Sequence, residues 1–208
     1  MSMLYKNFTA TIQGIVPTIM HNGRTANPLD IMTRTMKPLT SKRIKTDSEY
    51  ELLYKMKWFA GLYTNTDDVS ANLDKGNFII SGGQGSIHYP AQNIEGMMIS
   101  AARKFKLGQL VQTGVICDEV FPLDFPDANK PLAYLWDSGK YVDYRKVRVG
   151  QASVIASRPI FHDWKLTVSL NYLPDIINES QVKDILITAG RLIGLSDFRP
   201  KYGRFEVL

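Results

Sequence analysis

Few residues of this chain could do chemistry: His21, His88, His162, Cys117, and several groups of arginine and lysine among 208 residues. General acid–base catalysis needs a histidine or paired carboxylates within reach of a substrate proton. His21, in the loop sequence His21-Asn22-Gly23, is the one weak catalytic candidate, and a plain turn residue is the competing reading. His162 lies in the short connection Ile160-Phe161-His162-Asp163 and reads as structural. No histidine has a ligand-forming neighbour at metal-site spacing, and one cysteine cannot close an internal disulfide, so no metal and no cofactor is expected. Asp67 and Asp68 are adjacent in a polar stretch and read as solvated charge, and nothing marks Asp30 as catalytic. The cluster Gly82-Gly83-Gln84-Gly85 lacks the Gly-Lys-Ser/Thr ending of a phosphate loop and fits no dinucleotide fingerprint, so it reads as a turn.

Binding chemistry is better represented. Single-stranded nucleic acid is held by cations that track phosphates and by planar groups that stack on bases. Arg24 precedes a stretch, Ile31 to Thr46, that contains Arg34, Lys37, Lys42, Arg43 and Lys45 and no acid. The segment Tyr141–Arg148 interleaves Tyr141 and Tyr144 with Arg145, Lys146 and Arg148. At strand spacing Tyr144, Lys146 and Arg148 face one side and Arg145 and Val147 the other. A charge-protected edge strand would look the same. Arg103, Lys104 and Lys106 load the end of a helix, where cations complement its dipole. Arg158-Pro159 and Phe198-Arg199-Pro200 add cations beside rigid or aromatic neighbours. Acids collect elsewhere, at Asp67, Asp68 and Asp74 and at Asp118, Glu119, Asp124 and Asp127. The net charge of +5 is mild, and it is this segregation that points to a basic binding face.

The last nineteen residues carry the sharpest pattern. An apolar helix end runs into Gly194, a turn-prone stretch follows with Arg199 and Lys201, and Gly203 opens a short strand that begins at Arg204. Flanking glycines allow backbone N–H groups to approach a ligand closely, and the cations beside them suit an anion. A helix cap followed by a turn with solvated charges is the plainer reading.

The elements that must position these groups follow from periodicity. Phe8–Val16 alternates as a strand, and Met20 to about Thr46 has no sustained period and reads as loop. Ser48 as N-cap with Glu51 starts a helix over about 49–63. Phe78–Ser81 and Ser86–Tyr89 read as a hairpin through the glycine cluster. Pro90 precedes a helix whose apolar residues Ile94, Met97, Met98, Ala101, Ala102 and Phe105 fall three or four apart. Val111–Phe121 reads as a strand, followed by an acidic, proline-rich loop. Strands follow over Tyr141–Val149, Ala152–Pro159 and Trp164–Tyr172, the last two paired as a hairpin. Asn178 caps a final helix to about Leu192, and Gly203–Leu208 closes the chain. Trp58, Trp136 and Trp164 read as packing residues. The order, without the long intervening stretches, is β-α-β-β-α-β, an α+β ferredoxin-like or RRM-type core. One domain is expected over 1–208, with insertions at about 20–81 and 121–148. The RRM signature run is absent from the inner strands, so binding would go through loops. No apolar run reaches the ~20 residues of a membrane span, and a cytoplasmic protein is expected.

The helix Pro90 to Arg103 and the segment Gly194 to Val207 together resemble the RAMP superfamily of CRISPR-associated proteins, most of all the CRISPR-associated protein 7 backbone subunits. Those carry a proline and a small residue at the start of a glycine-containing helix. They end in a glycine-rich loop followed by a Tyr-Gly-Arg-hydrophobe strand, here Tyr202-Gly203-Arg204-Phe205. The family loop opens Gly-hydrophobe-Gly, whereas this one opens Gly194-Leu195-Ser196. Asp197-Phe198-Arg199-Pro200 is similar to backbone-like proteins of phages and mobile elements. The resemblance implies the same ferredoxin-like core. It further implies non-catalytic binding of single-stranded RNA or DNA by a homo-oligomer, with or without other CRISPR-type subunits. The nucleic-acid contacts would be Arg24, Arg34, Lys37, Lys42, Arg43, Lys45, Arg103, Lys104, Tyr144, Lys146, Arg148, Arg199, Lys201 and Arg204. Two other readings stay open: a RAMP-type endoribonuclease using His21, and an interaction protein that mimics a backbone subunit without nucleic acid, such as a phage assembly or anti-defence protein.

Overall fold

The computed structural model describes residues 4–65, 69–72, 77–80, 86–117 and 120–208. The expected turn at Gly82–Gly85 and the acids Asp67, Asp68, Asp74, Asp118 and Glu119 lie outside the described residues. The fold is α+β. Its strands are β1 (Lys6–Gly14), β2 (Thr18–Ile19), β3 (Val69–Asn72), β4 (Asn77–Ile80), β5 (His88–Tyr89), β6 (Val115–Ile116), β7 (Phe121–Pro122), β8 (Val142–Val149), β9 (Ala152–Phe161), β10 (Lys165–Tyr172) and β11 (Phe205–Val207). Its helices are α1 (Ile31–Ser41), α2 (Asp47–Gly61), α3 (Ala91–Ala102), α4 (Gly108–Gly114), α5 (Leu132–Asp137) and α6 (Glu179–Thr188). The chain forms two compact units. The first comprises Met1–Ile19, His88–Ala128 and Phe161–Leu208, and the second Met20–Ile87 and Asn129–Ile160.

The first unit is built on a sheet of order β11-β1-β10-β6 in which every neighbour pair is antiparallel. β1 and β10 run side by side from Lys6↔Tyr172 to Gln13↔Lys165. Along β10, Leu166, Val168, Leu170 and Tyr172 are buried while Lys165 and Thr167 are exposed, which is the period-two pattern of a sheet with one covered face. Ile94, Met97, Met98, Ala101 and Ala102 of α3 and Val182, Ile185 and Leu186 of α6 are also buried and complete this core. Phe105 departs from the expected stripe: it lies past the end of α3 in a 3₁₀ turn and is exposed. Asn178 accepts from the Gln181 amide in a full capping box, as its position predicts. The segment expected as a strand from Val111 is instead α4 followed by the two-residue β6. The Val111 amide donates to the Leu107 carbonyl at 3.0 Å and Val111 is buried, so its burial within a helical turn overrides β-branched propensity, and only Val115 and Ile116 are extended.

The second unit holds α1, α2, α5, the β3–β4 pair and the β8–β9 hairpin. The stretch around Arg34 and Lys37 is helical, not loop. The Asp30 carboxylate accepts from the Met32 amide at 2.8 Å, and Met32, Met36 and Leu39 bury one side at positions i, i+4 and i+7. Lys37-Pro38, which reads as a break, sits in the last turn, where one lost hydrogen bond is tolerated and the helix stops three residues later. The helix start expected at Ser48 belongs to Thr46. The Thr46 hydroxyl accepts from Glu49, whose carboxylate accepts in turn from the Thr46 amide at 2.9 Å. That capping box begins α2 two residues before the expected helix start at 49. The expected hairpin of 152–159 with 164–172 is also replaced. β9 pairs with β8 from Val142↔Pro159 to Val149↔Ala152, whereas β10 pairs with β1 and β6. Gly150, at φ 60°, opens the two-residue turn, a position where a left-handed backbone permits the tight reversal.

Candidate nucleic-acid interface

In the first unit, the glycine-flanked segment is closed upon itself. Gly194 has φ 83° and Gly203 φ 73°, backbone values that favour glycine. The Leu195 amide donates to the Gly203 carbonyl at 2.8 Å, and the Gly203 amide donates to the Pro17 carbonyl at 2.8 Å. A Cβ at Gly203 would overlap the Leu195 carbonyl oxygen, and one at Gly194 would stand 2.6 Å from the Tyr202 carbonyl oxygen. The glycines therefore let backbone meet backbone, and their amides serve the fold. Ser196 and Phe198 also hold left-handed φ values, 71° and 56°, fixed by bonds on either side such as Asp197 amide to Ile19 carbonyl. Arg199 and Lys201 project from this braced loop and are exposed, while the Arg204 Nε donates to the Pro200 carbonyl at 2.8 Å. Arg103 and Lys104 are exposed in the 3₁₀ turn after α3.

The cations of the second unit divide into committed and open ones. The Arg24 Nε donates to both Asp30 oxygens, at 3.0 and 3.2 Å, and the pair is largely buried. Arg24 thus braces the start of α1, and the sequence offered no sign of that pairing. Lys42 pairs with Glu49 at 2.6 Å, an interaction that holds the Glu49 carboxyl below its ordinary value together with its capping bond to the Thr46 amide. Lys45 donates to the Lys42 carbonyl and lies 5.8 Å from the centre of the Tyr50 ring. Arg34, Lys37 and Arg43 are exposed.

On β8, burial alternates as the sequence predicts: Tyr144, Lys146 and Arg148 are exposed, Arg145 and Val147 less so. Arg145 pairs with Asp143 two residues earlier. Tyr144 packs edge-on against Tyr54 of α2 with ring centres 5.6 Å apart, and Tyr54 lies 6.1 Å from Tyr50 one helical turn away. The result is a row of three tyrosines in which Tyr50 is 41% and Tyr144 55% exposed. Burial, and secondarily Glu51, holds the Tyr144 phenol above its ordinary value, so it stays a neutral hydroxyl at physiological pH. Tyr50 and Tyr54 escaped sequence reasoning. Their signal was the i, i+4 spacing of two aromatics on a helix, which is indistinguishable there from core packing.

Beside this row the second unit contains a cavity of about 500 Å³ lined by residues that include His21, Lys57, Arg148, Ser157 and Arg158. The Arg158 guanidinium contacts His21 Nδ1. The Tyr63 hydroxyl donates to the His21 carbonyl at 3.2 Å and fixes the same residue from behind. Burial, with a smaller contribution from Lys45, lowers the Lys57 ammonium from its ordinary value. Among the described residues no group of three or more His, Cys, Asp or Glu could hold a metal ion, and no helix is long and apolar enough to cross a membrane. Comparison of the chain with protein-family models and with curated proteins finds no match.

Proposed function

We propose that this chain binds single-stranded nucleic acid, RNA by preference, without cleaving it, as a repeating oligomeric subunit similar to CRISPR effector backbones. The observation that carries the reading is the Tyr50–Tyr54–Tyr144 row, in which Tyr50 and Tyr144 are exposed, with Lys45 against Tyr50 and Lys146 and Arg148 further along the Tyr144 face of β8. Exposed rings offer bases a sequence-tolerant stacking surface, and neighbouring cations offer phosphates a track. Lys146, Arg148, Arg34, Lys37, Arg43, Lys42 and Lys45 supply that track in the second unit. Arg199, Lys201, Arg204, Arg103 and Lys104 are the corresponding groups of the first. Arg24, closed on Asp30, takes an architectural role here.

The family part of the reading draws on the first unit. Its sheet order β11-β1-β10-β6, with α3 between β1 and β6 and α6 between β10 and β11, is the arrangement a ferredoxin-like core would have. The long chain segments of the second unit would then be the insertions that backbone subunits use to grip a strand. The test is the ratio of nucleic-acid to protein absorbance across a sizing-column peak, run with and without nuclease. A large assembly that protects nucleic acid of regular length is the expected result. A nucleic-acid-free monomer that also fails to bind added single-stranded oligonucleotide would overturn it.

A further inference from the structure

We propose that the cavity of the second unit binds a nucleotide phosphate, a phosphate monoester carried either by a free mononucleotide or by the end of a nucleic-acid strand. This goes beyond the strand-coating reading and does not depend on it. Lys57, Arg148 and Arg158 all line the cavity, and none of the described residues lining it is acidic. A monoester near neutral pH carries close to two charges, and two arginines with a lysine match that demand, since guanidinium groups bind its oxygens in pairs. The diester inside a strand carries one charge and asks for an open track instead, which the β8 face provides.

The rest of the wall has the composition of a nucleotide site. The volume of about 500 Å³ falls in the range of small-ligand sites. Met36, Val147 and Val154 give apolar walls for a sugar or base, and the Thr33 and Ser157 hydroxyls, which donate to the Thr25 and Tyr54 carbonyls, can accept from a ribose hydroxyl or base amine. Lys57 is half-buried, no described acid pairs with it, and its ammonium is held below its ordinary value chiefly by burial. A seated anion would reverse that penalty. His21 also lines the cavity, held by the Arg158 contact to its Nδ1 and by the Tyr63 hydroxyl on its carbonyl.

The test titrates the full chain with AMP, adenosine and inorganic phosphate by calorimetry. It compares 5′-phosphorylated and 5′-hydroxyl oligonucleotides of one sequence by anisotropy. AMP is expected to bind at least about tenfold more tightly than adenosine, and Lys57→Met to cost about tenfold or more, as loss of a charge-assisted hydrogen bond does. Lys57→Arg should keep most of the affinity. Thr33→Val, expected to weaken AMP a few-fold, provides a second variant should Lys57→Met fold poorly. A gain confined to the 5′-phosphorylated strand identifies a strand end as the source, and binding of AMP identifies a free nucleotide. The proposal is overturned if AMP does not bind and the 5′-phosphate confers no advantage, or if AMP binds folded Lys57→Met and Thr33→Val as it binds the parent. Binding of the 5′-hydroxyl strand reports on the strand-coating reading alone, so the two failures are distinguishable.

Discussion

The loop from Gly194 to Gly203 and the hairpin of β8 and β9 with α2 are both basic, and both look like binding elements, yet they use their residues in opposite ways. In the loop the special residues are consumed by the fold. Gly194 and Gly203 bring two backbone segments together, and the amides of Leu195 and Gly203 are paired internally. The exposed residues are Arg199, Pro200 and Lys201. In the hairpin and α2 the backbone is ordinary and the side chains converge, with three tyrosines in a row and cations around a cavity. A glycine-rich signature therefore reports close backbone approach without saying whether a ligand or the chain itself is approached. An aromatic and cationic cluster at the surface is less ambiguous, because exposed rings and exposed charges gain little from folding.

The largest expected effect comes from breaking the first region. Gly203→Ala would force a Cβ onto the Leu195 carbonyl at a left-handed φ, and should cost more than about 3 kcal/mol in chemical denaturation, at the high end for one substitution. A variant as stable as the parent would mean that the loop is not braced through these glycines. The next effect contrasts the two regions directly. Tyr144→Ala should weaken single-stranded oligonucleotide binding about tenfold at every salt concentration, since stacking contributes ~1–3 kcal/mol per base. The double variant Arg199→Glu, Lys201→Glu should instead act mainly at low salt and lower the slope of log affinity against log salt by about 2, one per phosphate contact. Equal salt dependence in both variants would erase the distinction drawn between them.

The smallest effect tests what positions the tyrosine row. Thr46→Ala removes the cap of α2, the helix that carries Tyr50 and Tyr54, and should cost about 1 kcal/mol. The Glu49 carboxyl is lowered chiefly by Lys42 and then by the Thr46 amide. Its contribution is therefore present above the ordinary value of 4.5 and lost as pH falls through the lowered one. Glu49→Gln should flatten that part of the stability curve against pH, as followed by thermal melts. An unchanged acid limb would show that the capping box does not titrate with folding.

Local signals in the chain were sufficient for what depends on neighbours in sequence. Asn178 and the apolar spacing of 182, 185 and 186 determined α6, alternation determined β1, β8 and β10, and the run Tyr144-Lys146-Arg148 determined one exposed face. Signals also misled where a local preference met a helix already paid for by burial, as at Pro38 and at Val111. Pairing partners were a different matter. Whether β9 joins β8 or β10 depends on which edges meet in space, and the two choices share the same alternation. The same holds for the site. Tyr54 lies ninety residues before Tyr144 and His21 lies 137 before Arg158, so no spacing rule links either pair. Arg24 and Lys57 make the point from both sides: each is a cation in sequence, but Asp30 closes one, whereas the other is half-buried in a cavity wall that has no described acid in its lining. Side-chain type and period decide the elements because they act over one or two turns. The company each charge keeps is decided only when distant segments pack.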